Sequence, residues 1–267
     1  MATEKLKDTL YQYYSTSTGY LHSLNDKDPD YFNDYARLVR EFVKEKSSII
    51  LDLGCGPGIS TKLIKQYYPN TFGSDISFLF LKEGHVNSNY ASDAHQSPIK
   101  DGIVNAVCSF EFIEHVYDAE KVLSEMIRVT KKNGLIIIMS PNLYSPLIPI
   151  RAFLNYLRKK NGETPWTPTF FSTFTRFFGN CFMLVKKKFS KKYNFYYRTP
   201  DLTKIADQGG DYDSVFMSNP VDIVKYLKDN GFLLLSVSVG RSRVGKIISK
   251  YFPSCATGMA IVAQKIN

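Results

Sequence analysis

Three side chains within five residues have the right types for acid–base or metal chemistry. Glu111, Glu114 and His115 stand in EFIEH, and the spacing ExxEH gathers two carboxylates and an imidazole within one turn. An imidazole can take a proton from an acceptor hydroxyl near neutral pH. The same three groups could instead hold a divalent cation such as magnesium, with positions left open for a substrate. The plainer alternative is that Glu111 only orders a crevice wall.

A second cluster is built on glycine. In LDLGCGPGIS, Gly54, Gly56 and Gly58 follow the apolar run SIILDL. Glycine lets the backbone bend sharply and lets a ligand touch it. The spacing is GxGxG, with Ile59 where a nicotinamide fingerprint would have its last glycine. Asp52, two residues before the first glycine, suits a cationic ligand such as a sulfonium or an amino group and repels a pyrophosphate. Asp75 ends TFGSD about 20 residues past the loop, where a carboxylate can accept both hydroxyls of a ribose. Asp93 in ASDA could accept from an adenine amino group, with the Ala94 backbone reading the ring edge. Any one of these acids could be a cap or a turn residue. Their succession at three strand ends is the signal.

The elements that must position them alternate. SIILDL, TFGSDI, NYASDA, AVCSFEF and LIIIMS read as strands, and STKLIKQYY, SFLFLKEG and AEKVLSEMIRVT as helices between them. Gly84 is expected to close the second of these helices. Such alternation predicts a parallel sheet with helices on both faces. NPVDIVKYLKDNG reads as a last helix, and FLLLSVSV and TGMAIVAQ as an antiparallel pair at the sheet edge. The chain divides into a helical cover (1–46), a ligand-binding core (47–140), an aromatic and basic insertion (141–219) and a closing helix with two strands (220–267), all in one domain.

With 267 residues, 44% of them hydrophobic, the chain can bury a sizeable core. Its formal charge of +9 favours anionic partners without choosing among them. The polar start is no secretory signal, no stretch reaches the length of a membrane span, and four scattered cysteines form no CxxC pair. A cytoplasmic location is the simplest expectation.

DLGCGPG, GSDIS, ASDAHQSPIKDGIVNAVCSFEFIEHV and VTKKNGLIIIMSPN together resemble the successive motifs of class I S-adenosylmethionine-dependent methyltransferases, type-11 branch. The resemblance covers residues 47–142 and implies a Rossmann-like seven-stranded sheet of order 3-2-1-4-5-7-6 with the last strand reversed. It implies S-adenosylmethionine as cofactor, with Asp52 and Gly54–Gly58 around its methionine part, Asp75 on ribose, and Asp93 with Ala94 at adenine. Cys55, Ile76 and Phe110 complete that cofactor-binding set. Asn105 departs from the branch, which often has Asp there. The ExxEH pattern is also similar to that of ubiquinone-pathway O-methyltransferases, which implies an oxygen acceptor and a metal aiding its deprotonation.

The insertion is expected to build the acceptor side. A lid over a small-molecule, glycan or lipid-linked acceptor is one reading. Peripheral membrane contact through residues 174–193, where phenylalanine and lysine mix, is another. RNA binding ranks last, since no RNA-binding module is visible. An ordinary subdomain with its own aromatic core and solvated lysines accounts for most of these residues. Asp211 and Asp213 in GGDYDSV read first as turn residues and second as sugar contacts. His95 is expected to line the adenine side, and His22 and His85 to lie on the surface. The rivals to a small-molecule enzyme are an RNA or protein methyltransferase on the same fold and a non-catalytic cofactor-binding or membrane-docking protein.

Overall fold

The computed structural model describes residues 2–25, 30–158, 169–203, 212–237, 247–248 and 250–266. Seven strands form one sheet: β1 (Ile50–Leu53), β2 (Thr71–Asp75), β3 (Tyr90–Ala91), β4 (Val104–Phe110), β5 (Thr130–Pro141), β6 (Phe232–Val237) and β7 (Gly258–Lys265). Their order is β3-β2-β1-β4-β5-β7-β6, and β7 runs antiparallel to both neighbours. The order reverses between β1 and β4, which pair in parallel, so a crevice opens at their carboxyl ends.

Strand parity decides what packs on each face. Leu51, Val107, Ile136 and Ile138 meet α6 (Ala119–Val129) and α9 (Pro220–Asp229) through Val122, Met126, Ile223 and Leu227. Ile50, Ala106, Cys108 and Ile137 meet α3 (Asp30–Phe42) and α4 (Ile59–Lys65) through Tyr35, Val39 and Ile64. Both faces are covered, which is why the strands read as near-continuous apolar runs. Asn105 has a fastening role: its side-chain oxygen accepts from the Ile49 amide at 3.0 Å.

Within the first 46 residues, α3 belongs to a core layer. α1 (Ala2–Thr16) and α2 (Thr18–Asn25) lie over the carboxyl ends of the strands, and α3 adds Tyr31 and Phe32 at the edge of the same space. The insertion after β5 holds α7 (Leu147–Leu157) and α8 (Phe170–Phe189). Residues 190–203 then run back beside residues 212–218, with Tyr197 bridged to Phe216. Asp211, Gly209, Gly210, Pro165 and Pro168 lie outside the described residues.

The glycine expected to close α5 (Phe78–Gly84) has a different task. His85, at φ 50°, is the left-handed residue after this helix, and Gly84 lies in its last turn. A Cβ on Gly84 would sit 1.8 Å from the carbonyl oxygen of Pro57, so the helix end presses directly on the glycine loop. Gly84→Ala must push backbone from backbone. It is expected to cost about 2–3 kcal/mol, read as a lower unfolding midpoint, and to weaken whatever the loop binds.

Candidate active site

A cavity of about 490 Å³ fills the crevice. Its floor is the loop Leu53–Pro57, its back Asp75 and Ile76, and one side Asp93, Ala94 and His95. Phe110, Glu111 and His115 form the opposite side, and Tyr14 and Tyr20 the roof. Cys55 lies on the floor, with its thiol pushed well up, mainly by burial.

Gly54 stands at φ 74°, and a Cβ there would lie 2.1 Å from the Phe112 ring. The Gly56 amide donates to Asp75 Oδ2 at 2.8 Å, and the Ser77 amide to Asp75 Oδ1 at 2.8 Å. Asp75 therefore joins the loop to the start of α5. Gly58 and Asp52 are set back from the cavity. The Asp52 carboxylate is fully buried, and the hydroxyls of Tyr35, Ser60 and Thr61 donate to it at 2.8, 2.6 and 2.7 Å. In this arrangement it fastens β1 to α3 and α4 directly behind the glycines.

The two acids facing the cavity have opposite electrostatics. Burial pushes the Asp75 carboxyl up to about 6, against the Ser77 and Gly56 amides that favour its ionised form. A hydrogen bond from His95 pulls Asp93 down to about 2, with Nδ1 at 2.6 Å and the His95 amide at 2.9 Å from the same oxygen. Lys7 approaches Asp93 from α1 at 3.7 Å. His95 is itself buried and stacks on Tyr117, with ring centroids 3.8 Å apart.

A pH prediction follows from Asp75. Its folded value lies above that of an unfolded aspartate, so folding takes up a proton between roughly pH 4 and 6. That contribution to stability is complete below the unfolded value and is lost as pH rises through about 6. A ligand that donates hydroxyls to the carboxylate has the reverse dependence and binds more weakly below about pH 6. Calorimetric affinities measured across this range should fall on the acid side, and Asp75→Asn should flatten the profile.

The EFIEH segment forms the other end. Glu111 follows β4 in a left-handed conformation, φ 48°, uncommon for a residue with a side chain. Its amide donates to the Met139 carbonyl at 2.8 Å. A 3-10 turn over Ile113–His115 then buries Glu114, whose Oε2 accepts from the Ser140 hydroxyl at 2.9 Å. His115 lies between two carboxylates, with Nδ1 3.1 Å from Asp213 and Nε2 3.6 Å from Glu114. The Tyr14 hydroxyl donates to Asp213 Oδ2 at 3.0 Å. Burial alone would raise Asp213, but the adjoining His115 and the Tyr14 hydroxyl outweigh it and hold the carboxyl below its ordinary value.

The backbone explains how Asp213 reaches this place. The amides of Val215 and Phe216 both donate to the Glu114 carbonyl, at 2.7 and 2.9 Å. The Arg198 amide donates to Val215 from the other side at 2.7 Å, and Arg198 Nε to the Ser214 carbonyl at 2.7 Å.

The expected cation site is not assembled. Among the described residues, no group of three or more His, Cys, Asp or Glu side chains could hold a metal ion. Glu114 accepts from Ser140 through Oε2 and faces His115 Nε2 at 3.6 Å through Oε1, while His115 Nδ1 faces Asp213. The sequence reading also missed the roof tyrosines and the pairing of Asp213 with His115. The GGDYDSV string was the available signal for Asp213. His22 and His85 are exposed, as expected.

The fold is a Rossmann-like seven-stranded mixed sheet, the architecture of solved methyltransferases. Residues 51–138 match the methyltransferase domain family Methyltransf_11. A protein of Mycolicibacterium smegmatis named as a probable S-adenosylmethionine-dependent methyltransferase is 28% identical over 99 residues, 35% of this chain and 38% of the relative. An uncharacterized protein of Methanocaldococcus jannaschii is 30% identical over 120 residues, 45% of this chain and 52% of the relative. The ubiquinone biosynthesis O-methyltransferase of Rickettsia conorii is 30% identical over 116 residues, 39% of this chain and 40% of the relative. The chain thus spans about half the length, or less, of these curated relatives. The solved magnesium protoporphyrin IX methyltransferase of Synechocystis, with bound SAH, shares the fold at a TM-score of 0.57 and 13% identity, covering 97% of this chain and 99% of that one.

Proposed function

We propose that the protein transfers a methyl group from S-adenosylmethionine to an oxygen of a small-molecule acceptor. One observation carries the reading: a glycine-floored cleft with two acids at successive strand ends also holds a carboxylate-backed histidine at its other end. The residues fit the cofactor. Asp75 would accept the ribose hydroxyls, and Asp93 with Ala94 would bind the adenine edge. Gly54, Cys55 and Gly56 would line the methionine part, between Ile76 and Phe110. When bound, S-adenosylmethionine supplies an activated methyl on a good leaving group, so much of the catalysis is positioning.

An acceptor hydroxyl must still lose its proton. His115 would take it at Nε2, which lies beyond hydrogen-bond distance of Glu114, while Asp213 at Nδ1 orients the ring and balances the charge it gains. Glu114 supports the same ring from the core side, and Glu111 shapes the wall. Oxygen as the target is supported by the ExxEH string and by the O-methyltransferase among the relatives. A lipid-linked or glycan acceptor is the narrower form of this reading, and the exposed apolar face of α8 favours lipid over glycan.

The test is calorimetric titration with S-adenosylmethionine, S-adenosylhomocysteine and NAD. Micromolar binding of both sulfur nucleosides, none of NAD, and at least about tenfold loss in Asp75→Ala is expected. Folded protein that binds neither sulfur nucleoside would sink the reading.

A further inference from the structure

The protein's charge is concentrated in one place. Residues 151–200 hold eleven of the 34 lysines and arginines but one of the 25 acids, which leaves the remainder of the chain near neutral. The 20-residue helix α8 lies in this segment, begun by a capping box at Thr169 and Ser172. Its apolar residues are the reverse of a normal amphipathic arrangement, because most of the largest ones face out. Phe171, Phe182 and Phe189 are 76%, 67% and 81% exposed, and Phe174, Phe178 and Val185 are exposed with them.

At about 100° per residue these six side chains fall within an arc of roughly 80°. Lys186 and Lys188 are exposed and flank that arc, one beyond each edge. Lys187 points to the opposite side, where it is buried against Asp222. Long lysine stems beside an apolar stripe can raise their ammonium groups while the stripe sinks, as interfacial helices require. Lys191 and Lys192 follow, also exposed.

We infer that α8 seats the protein on an anionic lipid surface, with its phenylalanine stripe in the headgroup–acyl boundary and Lys186, Lys188, Lys191 and Lys192 among the headgroups. This inference does not depend on the methyl-transfer reading. The helix lies on the membrane and does not cross it, since no described helix is long and apolar enough to span. A second copy of the chain is the poorer occupant, because stacking two such faces sets one lysine cluster beside another. Nucleic acid is poorer too. The Phe174 and Phe178 rings pack on each other at 4.6 Å, which leaves no room for a base between them.

Flotation of the full chain with vesicles tests the assignment. The wild type should float with mixed phosphatidylcholine–phosphatidylglycerol vesicles and much less with phosphatidylcholine alone, and inorganic phosphate should not displace it. Phe174→Ser with Phe178→Ser should lower partitioning about tenfold or more. Lys186→Glu with Lys188→Glu should abolish the preference for anionic vesicles. Unchanged melting of both double variants keeps their folding separate from their docking. The inference is overturned if the wild type does not float, or if both variants float as it does. It is equally overturned if light scattering finds a dimer that the phenylalanine variant dissolves, or if RNA is retained through the lysines with no vesicle binding.

Discussion

Replacing His115 with glutamine should lower methyl transfer by about 10²–10⁴-fold and leave the affinity for S-adenosylhomocysteine unchanged. Under the proposed function the ring takes the acceptor's proton, and Asp213 holds it at 3.1 Å. Asp213→Asn should therefore act through His115. Asparagine can keep a hydrogen bond but cannot balance an imidazolium, so kcat should fall while KM for the cofactor holds. The two changes combined should be little worse than His115→Gln alone, because residues acting as one unit are not additive. Tyr14→Phe, which removes only the outer hydroxyl of the chain, should have the smallest effect. Full activity in His115→Gln would remove the histidine from the mechanism. Unchanged melting temperatures would confine all of these effects to the site.

The largest loss of stability should come from Lys187→Ala, about 3–5 kcal/mol in denaturant unfolding. Lys187 and Asp222 are both almost wholly buried and form a hydrogen-bonded ion pair. The ammonium also donates to the Asn194 carbonyl at 2.6 Å and lies 5.0 and 4.7 Å from the ring centres of Tyr144 and Tyr196. Removing the cation leaves a carboxylate in a dry pocket with Asn219 and the Asn194 amide as its neighbours. Replacing both partners, Lys187→Met with Asp222→Leu, should recover most of the loss, because the desolvation penalty vanishes with the charges. If the single variant is as stable as the wild type, the pair does not hold α8 in place.

Most of the sheet was legible because its signals are local. The glycine turn, the alternation of strand and helix, and the acids at strand ends each occupy a few consecutive residues. Asp52 shows where legibility ends. Period-two alternation puts it on the same face as Ile50, but only the fold reveals that Tyr35, Ser60 and Thr61 wait there to take its carboxylate. Gly84 is similar: a helix-ending glycine and a glycine that admits a neighbouring carbonyl look alike in sequence. ExxEH was visible as chemistry, but its partner was not. Asp213 reaches His115 because two amides after it bind the Glu114 carbonyl, a pairing between distant segments with no periodicity to betray it. Lys187 hid among identical neighbours, since three consecutive lysines do not say which one faces inward.

The roof over the cleft sets a timetable as well as a shape. Helix α1 is tied down at three points: Tyr14 to Asp213, the Tyr14 carbonyl to the Ser77 hydroxyl at 2.7 Å, and Lys7 to Asp93. Each tie ends on a residue beside the cleft: Asp213 next to His115, Ser77 at the cap of α5, and Asp93 after β3. An occupant of the cleft could not pass through this side without loosening them. Under the proposed function, exchange of the nucleoside on this side is coupled to the breaking and re-forming of these three ties.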